Sequence, residues 1–466
     1  MYSIFRQDFH NESLKYLNTL EEYLSGSITS SNFHDLRLKK LKEVLSYVAN
    51  GSEFYKPLIA QNFNEASSLS DLIQQLPFTT KNDLRNARAD ISSEPVNKAW
   101  VYYETTGTTG PSTPCPRNDI DSLVNNSFLT LQYRDIFKRE NGNHIVGIMG
   151  PTELHSTGDT FEDVFRSLNH TIVKMWPRSP VVGMSRAVTL IKELNITALV
   201  CTPAVASEMV KYCEKTGASV KDLGVEVILV LGELITPSRL NNLGTVWGAK
   251  IYNCMYASQE TSILAACDSS NQLKTIPLNN YYELWDPWLE KVNDVGEEWV
   301  SGELVITHLY KGNKPLIRYK TGDMVRAKLS ENDQWVIVPI GRVKDVIKIE
   351  GKSIYAFDLE NIIFESLSSC YEYFVEINRI NDKDKLNIIL EHSSETTDIN
   401  RLNALAQKIK NHLMIDVSIC CGDIGGLIST GAMVSWKAAR INDMRQEELC
   451  AEREMALNIS AKRQQA

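Results

Sequence analysis

The chain has 466 residues, of which 43% are hydrophobic and 23% are charged, and this length is enough for two or three domains. The composition excludes a disordered, fibrous or small disulfide-rich protein. Lysine and arginine number 49 against 58 aspartates and glutamates, a formal net charge of −9, so nucleic acid is not expected as a partner.

Cysteine usage and hydropathy point to a compartment. The nine cysteines form no C-x-x-C pair and no Cys/His spacing typical of a metal site, and an odd number suits a reducing environment. The first residues are polar, and the longest apolar stretches are too short to cross a bilayer. The sequence therefore predicts a cytoplasmic protein with no membrane segment and no structural zinc site.

The first half of the chain has the pattern of an α/β protein. Apolar residues at positions 38, 41, 45 and 48 predict an amphipathic helix over residues 36–49. Short apolar runs then alternate with stretches of helical period such as residues 184–194, which predicts an α/β sheet. The predicted strands cover residues 144–149, 198–202, 225–231 and 250–254.

The second half predicts two further units. Closely spaced strands over residues 281–338, with turn residues between them, predict an antiparallel β subdomain. After Gly341 the pattern changes to a small α+β unit. Its predicted strands are residues 346–350, 373–380, 385–392 and 418–421, and its predicted helices are residues 357–365 and 400–412.

A loop rich in threonine and glycine follows a strand predicted at residues 100–103. Two glycines three residues apart let backbone N–H groups and threonine hydroxyls converge on phosphate oxygens. The loop is neither a Walker loop nor a dinucleotide fingerprint, and in isolation it could equally be an exposed turn. Its residues are Thr105, Thr106, Gly107, Thr108, Thr109 and Gly110.

This loop resembles the S-G-T-T-G-K-P signature of the adenylate-forming superfamily, which contains acyl-CoA synthetases, adenylation domains and beetle luciferase. Upstream, residues 76–85 resemble the L-P-F-T-T-K-x-D-L-R block of its phenylacetate-CoA ligase branch. One departure is Pro111, which stands where the family has a lysine. The resemblance then implies that another cation, such as Arg117, assists the leaving pyrophosphate.

Under the same resemblance, several residues are expected to bind Mg-ATP. Residues 256–261 are similar to the family's Y-G-x-[ST]-E block, which implies that Tyr256 stacks on adenine beside Ala257 and that Glu260 holds Mg²⁺. Read alone, Glu260 would be a solvated strand end. Two further matches are the adenine-pocket turn Gly232 and Glu233, and Asp323, expected at a turn where its carboxylate accepts both ribose hydroxyls.

The C-terminal part carries two more matching segments. Residues 341–351 resemble the segment that joins the two domains of the family, which implies that Arg342 contacts the nucleotide and that Asp345 is the hinge. Residues 435–445 resemble the C-terminal block whose lysine, here Lys437, bridges the carboxylate and the α-phosphate. Read alone, Lys437 would face solvent.

Two other residues allow a structural and a functional interpretation. His155 matches a ring that gates the acid pocket in relatives, but a structural histidine is the alternative. Cys115 lies near the phosphate loop, and an unpaired cysteine more often serves packing than nucleophilic attack.

Together these matches predict an α/β adenylate-forming domain over residues 1–343, a hinge at 344–345 and a small mobile α+β domain over residues 346–466. They imply an ATP- and Mg²⁺-dependent ligase that activates a small-molecule carboxylic acid as acyl-AMP. The departures near the loop favour transfer to the amine of an amino acid, as in coronafacate ligase. The alternatives are transfer to the thiol of CoA, for which Gly351 matches a glycine beside pantetheine, and a non-catalytic nucleotide-binding relative.

Overall fold

The computed structural model describes residues 6–59, 63–105, 111–138, 142–349, 351–367, 370–381, 383–392, 399–422, 424 and 440–445. The chain begins with a helical layer followed by a short hairpin. Its elements are α1 (Gln7–Leu24), α2 (Ser30–Gly51), α3 (Leu69–Gln74), α4 (Lys81–Ala87), β1 (Val101–Glu104), β2 (Pro114–Arg117) and α5 (Asp119–Tyr133). The predicted helix at 36–49 is confirmed within α2, whereas α1 was missed although it is amphipathic and buries Phe9, Leu20 and Tyr23.

A five-stranded parallel sheet follows, as the alternation of strands and helices predicts. Its elements are β3 (Ile145–Ile148), α6 (Thr157–Ser167), β4 (Thr171–Lys174), α7 (Gly183–Glu193), β5 (Ala198–Cys201), α8 (Pro203–Lys215), β6 (Val227–Val230), α9 (Pro237–Trp247) and β7 (Lys250–Asn253). The strand order is β4-β3-β5-β6-β7. α8 and α9 both begin at a Thr-Pro pair, in which the threonine hydroxyl accepts a backbone N–H and the proline occupies the first helical position.

The antiparallel prediction for residues 281–338 is correct, but its extent is wrong. These strands belong to an eight-stranded sheet that begins at Met255, because three earlier strands join its far edge. The strands are β8 (Met255–Ser258), β9 (Ser262–Cys267), β10 (Leu273–Thr275), β11 (Asn280–Asp286), β12 (Lys291–Asn293), β13 (Val300–His308), β14 (Tyr319–Leu329) and β15 (Trp335–Arg342). Their order is β12-β11-β13-β14-β15-β10-β9-β8.

The C-terminal unit comprises the elements after a 3₁₀ turn at Val343–Asp345. They are β16 (Ile347–Ile349), β17 (Lys352–Ile354), α10 (Ala356–Glu365), β18 (Cys370–Ile380), β19 (Lys383–His392), α11 (Ile399–Leu413), β20 (Asp416–Cys421) and β21 (Ile441–Asp443). The strand order is β20-β19-β18-β21, with β16 and β17 forming a separate hairpin. The α+β prediction is confirmed, although β17 and β21 were missed.

Among the described residues, the large clusters of buried apolar side chains in the N-terminal part are separate from that of the C-terminal unit. One packs the N-terminal helices between the sheets, and a second covers the other face of the parallel sheet beneath α7 to α9. A third cluster lies within the C-terminal unit. Among the described residues, no helix combines the length and the hydropathy that crossing a membrane requires.

Arg318, which precedes β14, ties the N-terminal helices to the antiparallel sheet. Its guanidinium donates from Nε and Nη2 to the two carboxylate oxygens of Glu283, at 3.1 and 2.8 Å, and both side chains are buried. It also donates to the Leu76 carbonyl at 2.9 Å and lies 4.1 Å from the centre of the Phe78 ring. Arg318, five residues before Asp323 in the sequence, therefore has a structural role that fixes the chain leading into α4.

We expect Arg318→Met to lower the free energy of unfolding by about 3 to 5 kcal/mol, because Glu283 would keep a buried charge without its bidentate partner. Urea unfolding measures this loss. The matched control is the double variant Arg318→Met/Glu283→Gln, which removes both charges and should lose less stability than the single variant. Equal losses in the two variants would contradict this account of the pair.

Candidate active site

A cavity of about 780 Å³ opens where the parallel sheet, the β8–β9 turn, β14, β15 and the C-terminal unit meet. It collects the sequence-predicted residues that the structure describes, although they come from segments far apart in the chain. These lining residues are Thr105, His155, Gly232, Glu233, Tyr256, Ala257, Glu260, Asp323, Arg342 and Asp345. The predictions for Thr106, Gly107, Thr108, Thr109, Gly110 and Lys437 lie outside the described residues.

Asp323 is the centre of a polar group on one side of the cavity. The Tyr256 hydroxyl donates to Asp323 Oδ2 at 2.7 Å, and Arg342 Nε lies 3.6 Å from Asp323 Oδ1. Burial raises the pKa of Asp323, and Arg342 and the Tyr256 hydroxyl oppose that shift. The group thus presents a carboxylate with one oxygen hydrogen-bonded to Tyr256 and the other oxygen near the Arg342 guanidinium.

Strand register produces this group. Asp323 in β14 is directly opposite Arg342 in β15, and the register shifts just beyond it, between Met324 and Val325. The expectation of a turn at Asp323 is therefore wrong, because the residue lies inside an 11-residue strand. Gly322 precedes it with φ +76°, a conformation that favours glycine and lets the backbone bend within the strand.

Glu260 lies in the turn between β8 and β9, with only 9% of its side chain exposed. Lys81 Nζ lies 3.2 Å from Glu260 Oε1. Burial raises the pKa of Glu260, but Lys81 and Lys314 outweigh it, and the net pKa is below the ordinary value. Glu260 is therefore an ionised carboxylate at the cavity wall, which suits a hard divalent cation.

Lys81 had no role assigned from the sequence. It is the first residue of α4, where Thr80 and Asp83 form a reciprocal capping box. The sequence Thr80-Lys81-Asn82-Asp83 has the pattern of a capping box, which could have indicated that Lys81 begins a helix and has a fixed position. Because Arg318 and this cap hold the segment, Lys81 is fixed beside Glu260.

Arg117, the proposed substitute for the loop lysine, also lines the cavity. It lies in β2, which pairs with β1, so that the hairpin joins the two ends of the phosphate loop. Its guanidinium is 5.1 Å from the centre of the Tyr103 ring, and Nε has no hydrogen-bond partner among the described atoms. The thiol of neighbouring Cys115 is buried, burial raises its pKa, and Sγ lies 3.4 Å from the Thr113 carbonyl, as expected for a packing residue.

His155 lies on the side of the cavity formed by α6. The backbone N–H of Thr157 donates to Nδ1 at 3.3 Å, and the Thr157 hydroxyl lies 2.8 Å from the same nitrogen. Burial, followed by the charge of Arg117, lowers the pKa of His155 to about 4. The imidazole is consequently neutral near pH 7 and can line a pocket for an organic group.

On the C-terminal side, the predicted adenine-pocket turn meets an arginine that the sequence interpretation left without a role. The Glu233 side chain is 6% exposed, and its Oε2 lies 3.6 Å from Nη2 of Arg440, which is 3% exposed. Burial raises the pKa of Glu233 and Arg440 opposes it. Asp345 is also buried at the cavity wall, in the 3₁₀ turn that leads into the C-terminal unit.

Two curated proteins similar to this chain have the same name. The chain is 25% identical to the phenylacetate-coenzyme A ligase of Thermus thermophilus over 77% of this chain and 81% of the relative. It is 22% identical to the Pseudomonas putida enzyme of the same name, over 89% and 95% of the two chains. No protein-family model matches the sequence.

The fold is that of solved adenylate-forming enzymes. A crystal structure of 2-hydroxyisobutyryl-CoA ligase in the postadenylation state covers 94% of both chains with a TM-score of 0.75 and 18% identity. The thioesterification state of that ligase, with acyl-AMP and CoA bound, gives a TM-score of 0.59 over 93% of both chains.

The partly buried His155 predicts how stability depends on pH. Between about pH 6.5 and 4, unfolded His155 takes up a proton that folded His155 does not, so stability falls as the pH falls through this window. Buried His308, whose pKa burial lowers to about 3, acts in the same direction.

His155→Gln should therefore reduce the loss of unfolding free energy between pH 7 and pH 4.5, measured by urea unfolding at each pH. His34→Gln, at an exposed position of α2, is the matched control and should keep the parental slope. An unaltered slope in His155→Gln would show that this ring gains its proton at the same pH in both states.

Proposed function

We propose that this chain, a member of the adenylate-forming superfamily on its phenylacetate-CoA ligase branch, is an AMP-forming carboxylic acid ligase. The observation that carries the proposal is the single cavity in which the Asp323 group and the Glu260 group face a shared space. One group suits a ribose and the other suits a metal-bound polyphosphate. Such a cavity binds a nucleoside triphosphate with its phosphates directed toward Glu260.

In the first half-reaction, a carboxylate oxygen of the acid forms a bond to the α-phosphorus of ATP. The bond from that phosphorus to the bridging oxygen of the β-phosphate breaks, and pyrophosphate leaves with that electron pair. Acyl-AMP results, in which AMP is a good leaving group. Asp323 accepts the ribose hydroxyls, Tyr256 packs against adenine beside Ala257, and Gly232 borders that pocket.

Charge neutralisation around the phosphates is assigned to cations that the cavity brings together. Glu260 would hold Mg²⁺, which requires only one or two protein carboxylates when phosphates supply further oxygens. Lys81 and Arg117 flank that position and replace the lysine missing at Pro111. Arg342 contacts the nucleotide, and Lys437 bridges the carboxylate and the α-phosphate. The loop from Thr105 to Gly110 holds the phosphates.

In the second half-reaction, a nucleophile attacks the acyl carbon and AMP leaves. The names of the relatives and of the solved ligase support the thiol of CoA. Gly351 agrees with this, since it has φ +74° and no described atom lies within 4 Å of a Cβ built there. The amine of an amino acid is the other acceptor, supported by the departures at Pro111 and over residues 114–117.

Two orientations of the C-terminal unit serve the two half-reactions in this proposal. The division at residues 1–343, 344–345 and 346–466 is supported by the separate apolar cluster of the C-terminal unit and by the turn that ends at Asp345. Asp345 is the hinge about which the unit rotates. A cytoplasmic location stays a prediction from the cysteine usage.

Pyrophosphate release tests the function directly. The purified protein is incubated with Mg-ATP and a panel of aryl, alkyl and hydroxy acids, and each active acid is tested again with CoA and with each amino acid. The proposal expects acid-dependent release of pyrophosphate together with AMP. Release that no acid stimulates, or release of ADP instead, would overturn it.

The magnesium assignment makes a separate prediction. Glu260→Gln should raise the Mg²⁺ concentration required for half-maximal acyl-AMP formation by about tenfold, because an amide loses one ionic contact of roughly 1.4 kcal/mol. Asp323→Asn is the contrasting variant, since it should weaken ATP binding at every Mg²⁺ concentration. A magnesium titration that coincides with the parental curve would remove Glu260 from the metal site.

The two-orientation mechanism predicts that different substitutions impair the two half-reactions. Lys437→Ala should lower acyl-AMP formation by at least 100-fold, on the order of 3 kcal/mol, yet transfer from chemically made acyl-AMP should continue near the parental rate. Asp345→Pro should do the reverse, because proline fixes φ at the hinge. Pyrophosphate release and product formation from acyl-AMP measure the two steps. Equal loss of both steps in each variant would contradict the mechanism.

A further inference from the structure

Five charged side chains form a continuous buried cluster where the C-terminal unit meets the rest of the chain. Their side chains are between 0% and 7% exposed, although they come from five separate segments. The members of this cluster, the interface ion cluster, are Glu233, Arg239, Glu360, Glu372 and Arg440.

The charges alternate along the cluster. Arg239 Nη1 donates to Glu360 Oε2 at 3.2 Å, and Arg239 Nη2 donates to Glu372 Oε1. Arg440 Nη2 lies 3.3 Å from Glu372 Oε2 and 3.6 Å from Glu233 Oε2. The order is therefore Glu360, Arg239, Glu372, Arg440 and Glu233, so that each arginine lies between two carboxylates.

Three of these four ion pairs cross between the units. Arg239 on α9 belongs to the N-terminal part, whereas its partners Glu360 and Glu372 lie on α10 and β18 of the C-terminal unit. Arg440 precedes β21 of the C-terminal unit, whereas Glu233 follows β6. A rotation of the C-terminal unit would therefore separate three oppositely charged pairs at once.

Separating these pairs is unfavourable because the charges are buried. A charge that is out of water is strongly destabilising unless it is paired, so removing one partner of a buried pair destabilises the arrangement that contains it. Two other contacts keep the partners fixed, since the Thr236 N–H donates to Glu360 Oε1 at 3.2 Å and the Tyr373 hydroxyl to Glu360 Oε2 at 3.1 Å. The cluster thus specifies one orientation of the units.

The cluster reaches the cavity at its last pair. Glu233 and Arg440 both line it, and neither carboxylate oxygen of Glu233 has a hydrogen-bond partner among the described atoms. Lys437 is three residues before Arg440 in the sequence, so peptide geometry keeps their Cα atoms within about 11 Å of each other. The cluster therefore fixes Arg440 at the wall of the cavity, three residues after the lysine that the proposed function assigns to acyl-AMP formation.

We propose that Arg440 is a positioning residue for acyl-AMP formation, which the interface ion cluster holds at the cavity so that the C-terminal unit keeps the orientation of the first half-reaction. The proposal rests on the proposed adenylation function. The cluster must open before the acyl group is transferred.

The test compares variants within the cluster with one outside it. Arg440→Met removes the terminal cation, Arg440→Lys retains a charge, and Glu372→Gln weakens the hold on Arg440 from a position that does not line the cavity. The control is Arg326→Met. Arg326 Nη2 donates to both carboxylate oxygens of Asp358 at 2.9 Å, and this ion pair also crosses between the units but does not line the cavity.

Three measurements are made on each full-length variant. These are acid-dependent exchange of pyrophosphate into ATP, transfer from chemically made acyl-AMP, and solution X-ray scattering. We expect Arg440→Met and Glu372→Gln to lower kcat of exchange about tenfold or more, leave KM for ATP near parental and leave transfer undiminished. Their scattering curves should depart from the parental curve, Arg440→Lys should recover part of the exchange rate, and Arg326→Met should match the parent.

The outcomes separate the proposals. Exchange and scattering at parental values in Arg440→Met and Glu372→Gln would overturn the positioning role, as would equal loss of exchange and transfer. A rise in KM for ATP confined to Arg440→Met would mean direct contact with nucleotide and also overturn it.

If the parent shows no exchange with any acid, the proposed function fails, and unchanged scattering of the variants would then refute the fixed orientation independently. If Arg440→Met does not fold, Glu372→Gln decides by the same criteria.

Discussion

The pairing of β14 with β15 is the constraint on which the cavity depends. Its register sets Asp323 opposite Arg342, and Tyr256 then completes the group with a hydrogen bond to the same carboxylate. β15 continues directly into the 3₁₀ turn that ends at Asp345, so the strand that supplies Arg342 also leads into the C-terminal unit. A slip of one residue in either strand would place Asp323 and Arg342 on opposite faces of the sheet.

Buried ion pairs have two different uses in this chain. The Arg318 to Glu283 pair lies within the N-terminal part and fixes the approach to α4, and with it Lys81 beside Glu260. The interface ion cluster instead joins segments of the N-terminal part to the C-terminal unit. An unpaired charge is destabilising where water is excluded, so both sets of buried charges resist separation. The Arg318 to Glu283 pair therefore stabilises a contact within one unit, whereas the interface ion cluster favours one orientation of the C-terminal unit over others.

Much of the fold could be predicted because it depends on local pattern. Hydrophobic period located α2, four of the five parallel strands and the α+β character of the C-terminal unit to within a few residues, whereas the edge strand β4 was missed. Errors arose where long-range pairing decides the structure. The strands β8 to β10 join the antiparallel sheet through the contact of β10 with β15. The bend at Gly322 was mistaken for a turn because Thr-Gly-Asp is typical of turns.

The candidate site could be predicted only in part, because local sequence pattern identifies some of its residues and long-range contacts bring in the others. Residues such as Glu260 and Asp323 were found because each lies in a short recognisable block. Lys81 lies within the matching segment 76–85, but the sequence alone does not indicate its role. That role follows from the structure, in which Arg318 and the helix cap hold Lys81 beside Glu260. Arg440 and Glu233 are more than 200 residues apart in sequence, and no local pattern indicates that two such charges meet.

An isotope-transfer measurement tests the central claim most directly. The active acid is labelled with ¹⁸O in both carboxylate oxygens and incubated with unlabelled Mg-ATP and the acceptor, and the released nucleotide is analysed by mass spectrometry. If the carboxylate attacks the α-phosphorus, AMP must contain one ¹⁸O atom, because the bridging oxygen of acyl-AMP comes from the acid. Unlabelled AMP, or label found in inorganic phosphate together with ADP, would contradict the adenylation mechanism.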